Sequence, residues 1–193
     1  MKKIVRCGWP GEDALMQKYH DTEWGKPERD DKKIFRAIIL DTFQAGLSWK
    51  IILHKRENFA KAFDDFDFEK VARYTKAKEA KLLKDAGIIR NRLKIAGAVE
   101  NARAFIRVRK EFGTFSKYIW GFVGNKPIQN KLKHSSHMHA TTPLSDKIAS
   151  DMKSRGFKFC GSTVTYAFMQ GIGMVNDHLT TCFRYKELQK GSK

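Results

Sequence analysis

The chain has 193 residues, with 38 Lys and Arg against 21 Asp and Glu and a formal net charge of +17. That length suits one domain, or two lobes sharing a core, and the basic excess concerns partners rather than fold, favouring a polyanion such as nucleic acid. No apolar run approaches a membrane span, the opening MKKIVRCGWP turns polar too early for a signal peptide, and three cysteines argue against a disulfide framework, so a soluble cytoplasmic protein is expected.

Residues 1–27 read as a folded loop region, helical only over Asp13 to Tyr19, and they carry Cys7, Trp9, Tyr19, His20 and Trp24. From Asp31 to Leu40, Ile34, Phe35, Ile38 and Ile39 recur at helical spacing behind an Asp cap, which predicts a core helix. Gly46 marks a turn, and Ser48 caps a helix whose face is Trp49, Ile52, Leu53, Arg56, Phe59 and Phe63. Asp67 and Thr75 cap two short helices, the second leading into the stretch from Lys81 to Lys110.

That stretch reads as a short helix, a hairpin at Asp85-Ala86-Gly87-Ile88, and a long helix ending near Phe112. Gly87 is expected to supply the backbone freedom of the reversal, while Leu82, Leu83, Ile89, Leu93, Ala96 and Val99 hold the two helices together. Nine Lys or Arg stand against Asp85 and Glu100, and amides at the start of the second helix are expected to face outward, where phosphate meets the helix dipole. Gly87, Ile89, Arg90, Arg92 and Lys94 are thus the expected contacts to a DNA backbone. An ordinary αα-hairpin with a solvated basic face has the same composition.

Phe115 to Val123 reads as an aromatic helix inserted in the core of a second lobe. Between Gly124 and Thr142 the pattern is least regular; His134, His137 and His139 lack convergent cysteines or carboxylates, so a mobile basic loop near DNA is expected there rather than a metal site. Ser145 caps a helix running through Met152, and another, STVTYAFMQGIG, follows Gly161 and stops at Gly173. His178 and Cys182 stand one helical turn apart. No repeat and no sustained strand alternation are present, and the expected fold class is all-α. The expected organisation is one unit of two helical lobes, residues 31–123 with the hairpin 81–95 forming one, and 1–30 with 143–193 the other.

Cys7 and His20 near one end, with His178 and Cys182 near the other, are the ligand types of a tetrahedral structural zinc. Their spacing is not that of a standard finger, and from the residues alone a buried Cys7, a surface His20 and a fraying tail is the rival arrangement. Four protein ligands would leave no position open for water, so such a site would clasp the chain ends and couple folding to metal.

RCGW at Arg6 to Trp9, YHDTEWG at Tyr19 to Gly25, QAGLSW at Gln44 to Trp49, KREN at Lys55 to Asn58, DAGIIRNR at Asp85 to Arg92, NARA at Asn101 to Ala104, RGFKF at Arg155 to Phe159, and NDH followed by Cys182 resemble, in order, the bacterial DNA-3-methyladenine glycosylase I family. The resemblance implies a monofunctional base-excision enzyme of the helix-hairpin-helix superfamily, monomeric and acting on double-stranded DNA containing alkylated adenine. It implies one structural zinc on Cys7, His20, His178 and Cys182. It also implies a base pocket of Trp9, Tyr19, Trp24, Asp41 and Trp49, with Tyr19 and Asp41 as the polar groups acting on the base. In the family pattern a glutamate stands where this chain has Asp41, one methylene shorter but equally charged.

An indole wall with a carboxylate suits a flipped, cationic base. Such a base needs little protonation to depart; the stretch 112–116 offers no water-directing carboxylate, and no lysine stands out as a Schiff-base nucleophile. Trp9, Trp24 and Trp49 read without the resemblance are ordinary core. The competing class is a non-enzymatic, zinc-stabilised module that binds damaged or bent duplex; a metal-dependent nuclease built on the histidine loop is a third.

Overall fold

The computed structural model describes residues 4–190 and is all-α apart from one two-residue parallel bridge, β1 (Ile128–Gln129) to β2 (Val175–Asn176). Eleven helices are present among the described residues: α1 (Ala14–Thr22), α2 (Asp31–Gln44), α3 (Trp49–His54), α4 (Arg56–Ala62), α5 (Phe68–Ala72), α6 (Lys76–Leu82), α7 (Arg92–Phe112), α8 (Phe115–Gly121), α9 (Pro143–Ser154), α10 (Ser162–Gly171) and α11 (Phe183–Lys190). Among the described residues no helix is long and apolar enough to cross a membrane.

Helix α7 is the axis of the fold. Asn91 caps it by accepting from the Lys94 amide, and Ile95, Ala98, Val99, Ala102, Phe105 and Val108 bury one face at helical spacing. That face meets α2, α5, α6 and α8, with Phe105 stacked on Phe115 at 4.2 Å. Asp31, in the first turn of α2, accepts from Arg109 Nε and from the amides of Phe115 and Ser116, which fixes the start of α8. The helix expected after Ser48 is interrupted at Lys55, giving α3 and α4, and α9 is capped by Thr142, with Ser145 three residues on completing a reciprocal capping box.

One apolar core draws on segments from both expected lobes. Phe115 and Trp120 of α8 lie in the main core, and so do Ile148, Met152, Phe157, Tyr166, Phe168 and Met169 of the segment assigned to the second lobe. Helix α10 packs on both α2 and α9, so apolar burial runs unbroken between them. A smaller cluster, Cys7, Met16, Tyr19, Trp24, Leu53 and Cys182, gathers the two ends of the chain. His178 and Cys182 lie in a turn before α11 rather than on a helix.

Candidate functional site

Three constructions share one framework: a Cys/His cluster, an aromatic cleft and the hairpin. Cys7, His20, His178 and Cys182 are all buried, with their four ligand atoms within 4.8 Å of one another. A tetrahedron with zinc–nitrogen bonds near 2.05 Å and zinc–sulfur bonds near 2.3 Å has edges of about 3.3 Å between nitrogens and about 3.6 Å from nitrogen to sulfur. Here His20 Nε2 and His178 Nδ1 are 3.2 Å apart. Cys7 Sγ lies 3.7 Å from His178 Nδ1, and Cys182 Sγ lies 3.5 Å from His20 Nε2 and 3.6 Å from His178 Nδ1. The donor set and its edges fit zinc.

The far nitrogens are also engaged, His20 Nδ1 with Asp21 at 2.7 Å and His178 Nε2 with the Trp24 carbonyl at 3.0 Å, which fixes each ring in the orientation a metal ligand needs. Asp21 is itself held by Arg6 through Nε and Nη2. Between the thiols, the hydrogen bond with Cys7 holds Cys182 far below the usual thiol range, and the same bond with burial drives Cys7 up. A divalent cation bound between them would take the place of that proton. The cluster is a structural zinc site joining the two ends of the chain.

The aromatic cleft stands directly on this clasp. Trp24 meets the His178 ring edge-on at 4.6 Å and Trp9 meets His20 at 5.5 Å. Trp9 and Trp24 are 5.0 Å apart, Tyr19 and Trp49 5.1 Å. These four rings, with Asp41, Gln44, Met138, Ala167 and Gln170, enclose a cleft of about 160 Å³. All five base-binding residues of the sequence analysis therefore converge. The cleft adjoins a more polar one of about 280 Å³ through the shared residues Tyr19, Asp41 and Trp49. Three cations of that neighbour are engaged: Arg56 binds Glu23 at 2.8 Å, Arg36 reaches the same carboxylate at 3.4 Å, and Lys33 pairs with Glu28 at 3.4 Å.

Asp41 projects from α2 and is 7% exposed. Burial alone pushes its carboxyl well above the usual carboxylate range; among the described residues it has no hydrogen-bond partner. Burial, and then the Asp41 charge, likewise keep the Tyr19 phenol protonated far beyond neutral pH. The Nε1 donors of Trp9 and Trp49 are sealed from solvent without partners. A buried acceptor and two buried donors left unpaired are costly in a folded chain, and their concentration around one cleft points to a polar, aromatic ligand. Sequence reasoning missed Gln44, Met138 and Gln170. Met138 belongs to the histidine loop, whose His134, His137 and His139 are exposed and not gathered around a common point.

The hairpin runs from Leu83 to Asn91, between α6 and α7. Gly87 does not have a positive φ; its hydrogen is needed because a Cβ would lie 2.9 Å from Asp85 Oδ1 and 3.2 Å from Asn58. Its amide is taken by Asp85 Oδ1 at 2.7 Å, and Lys55 Nζ binds the carbonyls of Ala86 and Gly87. Among the described residues, the amides of Ile89, Arg90, Arg92 and Leu93 are left without partners. They are open donors at the mouth of the turn.

Two expected contacts are corrected. Lys94 is buried, its ammonium bound to the carbonyls of Phe43 and Ala45 at 2.9 and 2.6 Å, because those carbonyls at the end of α2 need a cation more than solvent does. It joins the hairpin to the helix that carries Asp41 rather than reaching DNA. Leu93 is 67% exposed and holds no helix in place; Ile88, buried, does so instead.

The chain was compared with known proteins. Residues 9–185 match the family described as methyladenine glycosylase. The DNA-3-methyladenine glycosylase 1 of Escherichia coli is 44% identical over 182 residues, 94% of this chain and 97% of that protein. The DNA-3-methyladenine glycosylase of Haemophilus influenzae is 43% identical over 178 residues, 92% of this chain and 96% of that protein. A crystal structure of 3-methyladenine DNA glycosylase I is similar with a TM-score of 0.91 at 42% identity, covering 93% of this chain and 98% of that one. The Staphylococcus aureus protein, solved to establish the structural basis of 3-methyladenine recognition, is similar with a TM-score of 0.90 at 32% identity, covering 92% and 95%.

Proposed function

Since the chain belongs to the methyladenine glycosylase family, we propose that the cleft of Trp9, Tyr19, Trp24, Asp41 and Trp49 takes up 3-methyladenine flipped from alkylated double-stranded DNA. The protein is a monofunctional DNA-3-methyladenine glycosylase of base excision repair, with the helix-hairpin-helix fold and one structural zinc. It acts as a monomer, and its DNA substrate and free thiols suit the cytoplasm.

The observation that carries this reading is a buried carboxylate with no counter-cation, set among four aromatic rings. Charge decides which base gains from such a site. A neutral adenine gives Asp41 nothing in exchange for its lost hydration, whereas an N3-alkylated adenine brings a positive charge to the carboxylate and to the ring faces. Trp49 and Tyr19 bound the base, and Tyr19 offers its hydroxyl to an edge. Hydrolysis breaks the bond between the sugar C1′ and the base nitrogen; the bonding pair neutralises the departing base, and a water oxygen bonds to C1′ as it gives up a proton. A leaving group already cationic needs no acid, so the chain's task is to select, hold and exclude bulk water.

At the hairpin, the free amides of Ile89, Arg90 and Arg92 and the two exposed guanidinium groups hold phosphate, positioning the duplex without reading sequence. Incubation with methylated duplex should release free 3-methyladenine and leave an abasic, unbroken strand. Retention of the duplex with no base released would make the protein a binding module.

A further inference from the structure

The cleft contains one amide whose orientation is fixed from behind. Gln170, in the last turn of α10, lines the cleft, and its Nε2 donates to Asp177 Oδ2 at 2.7 Å. Its Oε1 has no partner among the described residues, yet it is not one of the sealed unpaired atoms, so it opens onto the cleft. Asp177 is 1% exposed and accepts two further bonds, from Tyr166 Oη at 2.8 Å on the same oxygen and from Asn130 Nδ2 at 2.6 Å on the other. Inverting the Gln170 amide would set its oxygen against Asp177 Oδ2, two acceptors facing each other out of water, which is costly. The backbone is equally fixed, with the Gln170 carbonyl accepting from the amides of Gly25 and Gly173.

We propose that Gln170 is a specificity residue, which reads the exocyclic amino group of the flipped purine through Oε1, and that Asp177 is the positioning residue that holds this acceptor face toward the base. The inference rests on the glycosylase reading above and names the group that separates adenine from guanine in the cleft. A fixed carbonyl oxygen accepts from the N6 amino group of adenine and repels the O6 of guanine or hypoxanthine. Alkylation at N3 strengthens the effect, because the positive charge spreads onto N6 and makes its hydrogens better donors. Asp177 is also the residue before the zinc ligand His178, so one segment carries both the clasp and the support of the reading amide.

The test uses the zinc-loaded full chain in two assays: single-turnover excision from duplex containing one 3-methyladenine, and binding of free 3-methyladenine against 3-methylhypoxanthine, which differ only in an amino or a carbonyl group. Gln170→Leu keeps the volume and removes the acceptor. A hydrogen bond to a charged partner corresponds to about a 10- to 100-fold effect. Excision of the cationic nucleotide should slow by that factor, and the preference for the amino over the carbonyl free base, both neutral, should shrink by about 2- to 10-fold, the effect that a neutral hydrogen bond corresponds to. Asp177→Asn places a donor where Oδ2 stood and invites the Gln170 amide to invert; it should weaken 3-methyladenine binding and strengthen 3-methylhypoxanthine binding. Zinc content and Tm are read for both variants. Q170L leaves the buried carboxylate intact, so it decides the matter even where D177N fails to fold. A Q170L protein that slows excision but keeps full amino-over-carbonyl preference has lost packing only, and the proposal is overturned, as it is when neither quantity moves. A wild-type protein that releases no 3-methyladenine sinks the glycosylase reading instead, and the free-base comparison still decides the role of Gln170.

Discussion

Removing one zinc ligand should unfasten both ends of the chain, and Cys182→Ala is the cleanest perturbation because Cys182 is 1% exposed and touches both histidines. A ligand that binds only the folded state at a free concentration of 1,000 times its Kd stabilises it by about 4.1 kcal/mol. For a chain of this size, each kcal/mol moves Tm by about 2–4 °C, so zinc at that excess is worth about 8–16 °C. The assay is thermal unfolding against buffered free zinc. Wild type should rise with the logarithm of zinc above its Kd, whereas C182A should be flat and low. Trp9 and Trp24 rest on His20 and His178, so chelator should remove activity and fold together, at one midpoint. Activity lost at chelator levels that leave the wild-type fold and its Tm intact would refute a structural role. A C182A protein with normal zinc content and Tm would refute the ligand assignment.

Gly87→Val should weaken binding to damaged and intact duplex alike, measured by titration with both, because a side chain there collides with Asn58 and Asp85 and displaces the hairpin without touching the cleft. Lys94→Met should lower stability by about 1.5–3 kcal/mol, read by urea unfolding, since two carbonyls at the end of α2 lose a charged donor. Gly173→Ala should destabilise strongly in the same assay, because φ is +72° and a Cβ would stand 2.4 Å from the Lys26 carbonyl carbon. Asp41→Asn should slow excision of 3-methyladenine while raising Tm at neutral pH. Burial raises the folded pKa above the unfolded 3.8, so above pH 3.8 the unfolded chain binds fewer protons and the acid costs stability as pH rises; a Tm profile whose slope D41N leaves unchanged from pH 4 to 8 would contradict this.

What the sequence made legible follows the range of the interactions. Capping is local, and Ser48, Asp67 and Thr75 each accept from the amides expected of them. Helical spacing located the buried face of α2, because Ile34, Phe35, Ile38 and Ile39 have nowhere else to go in a helix. The zinc ligands are 171 residues apart between Cys7 and His178, beyond any spacing rule; residue type alone put the set beside a rival arrangement, and the family resemblance chose between them. Lys94 and Leu93 went wrong for one reason: in the first turn of α7 the apolar side chain faces solvent and the charged one faces the core, since the end of α2 presents two bare carbonyls. No periodicity encodes the needs of a distant helix end. Gln170 was hidden for the same reason, as its partner Asp177 lies beyond the end of α10.

Asp41 is where these strands of the fold meet. Its helix is pinned at the C-terminal end by the Lys94 ammonium, and Lys94 belongs to the first turn after the hairpin. Thr42, the next residue, accepts from Asn101 of α7, and Asn101 also binds Lys158 through both its amide and its carbonyl. The carboxylate thus stands on a helix fixed at two points to α7, the helix that follows the hairpin. Selection by charge requires this rigidity. A buried carboxylate free to move would find water or one of the surrounding Lys and Arg side chains, and a neutralised acid would no longer distinguish a cationic base from a neutral one. On the proposed reading the net charge of +17 draws the protein to any duplex, and an acid held in the cleft without a cation makes the encounter with a damaged base different.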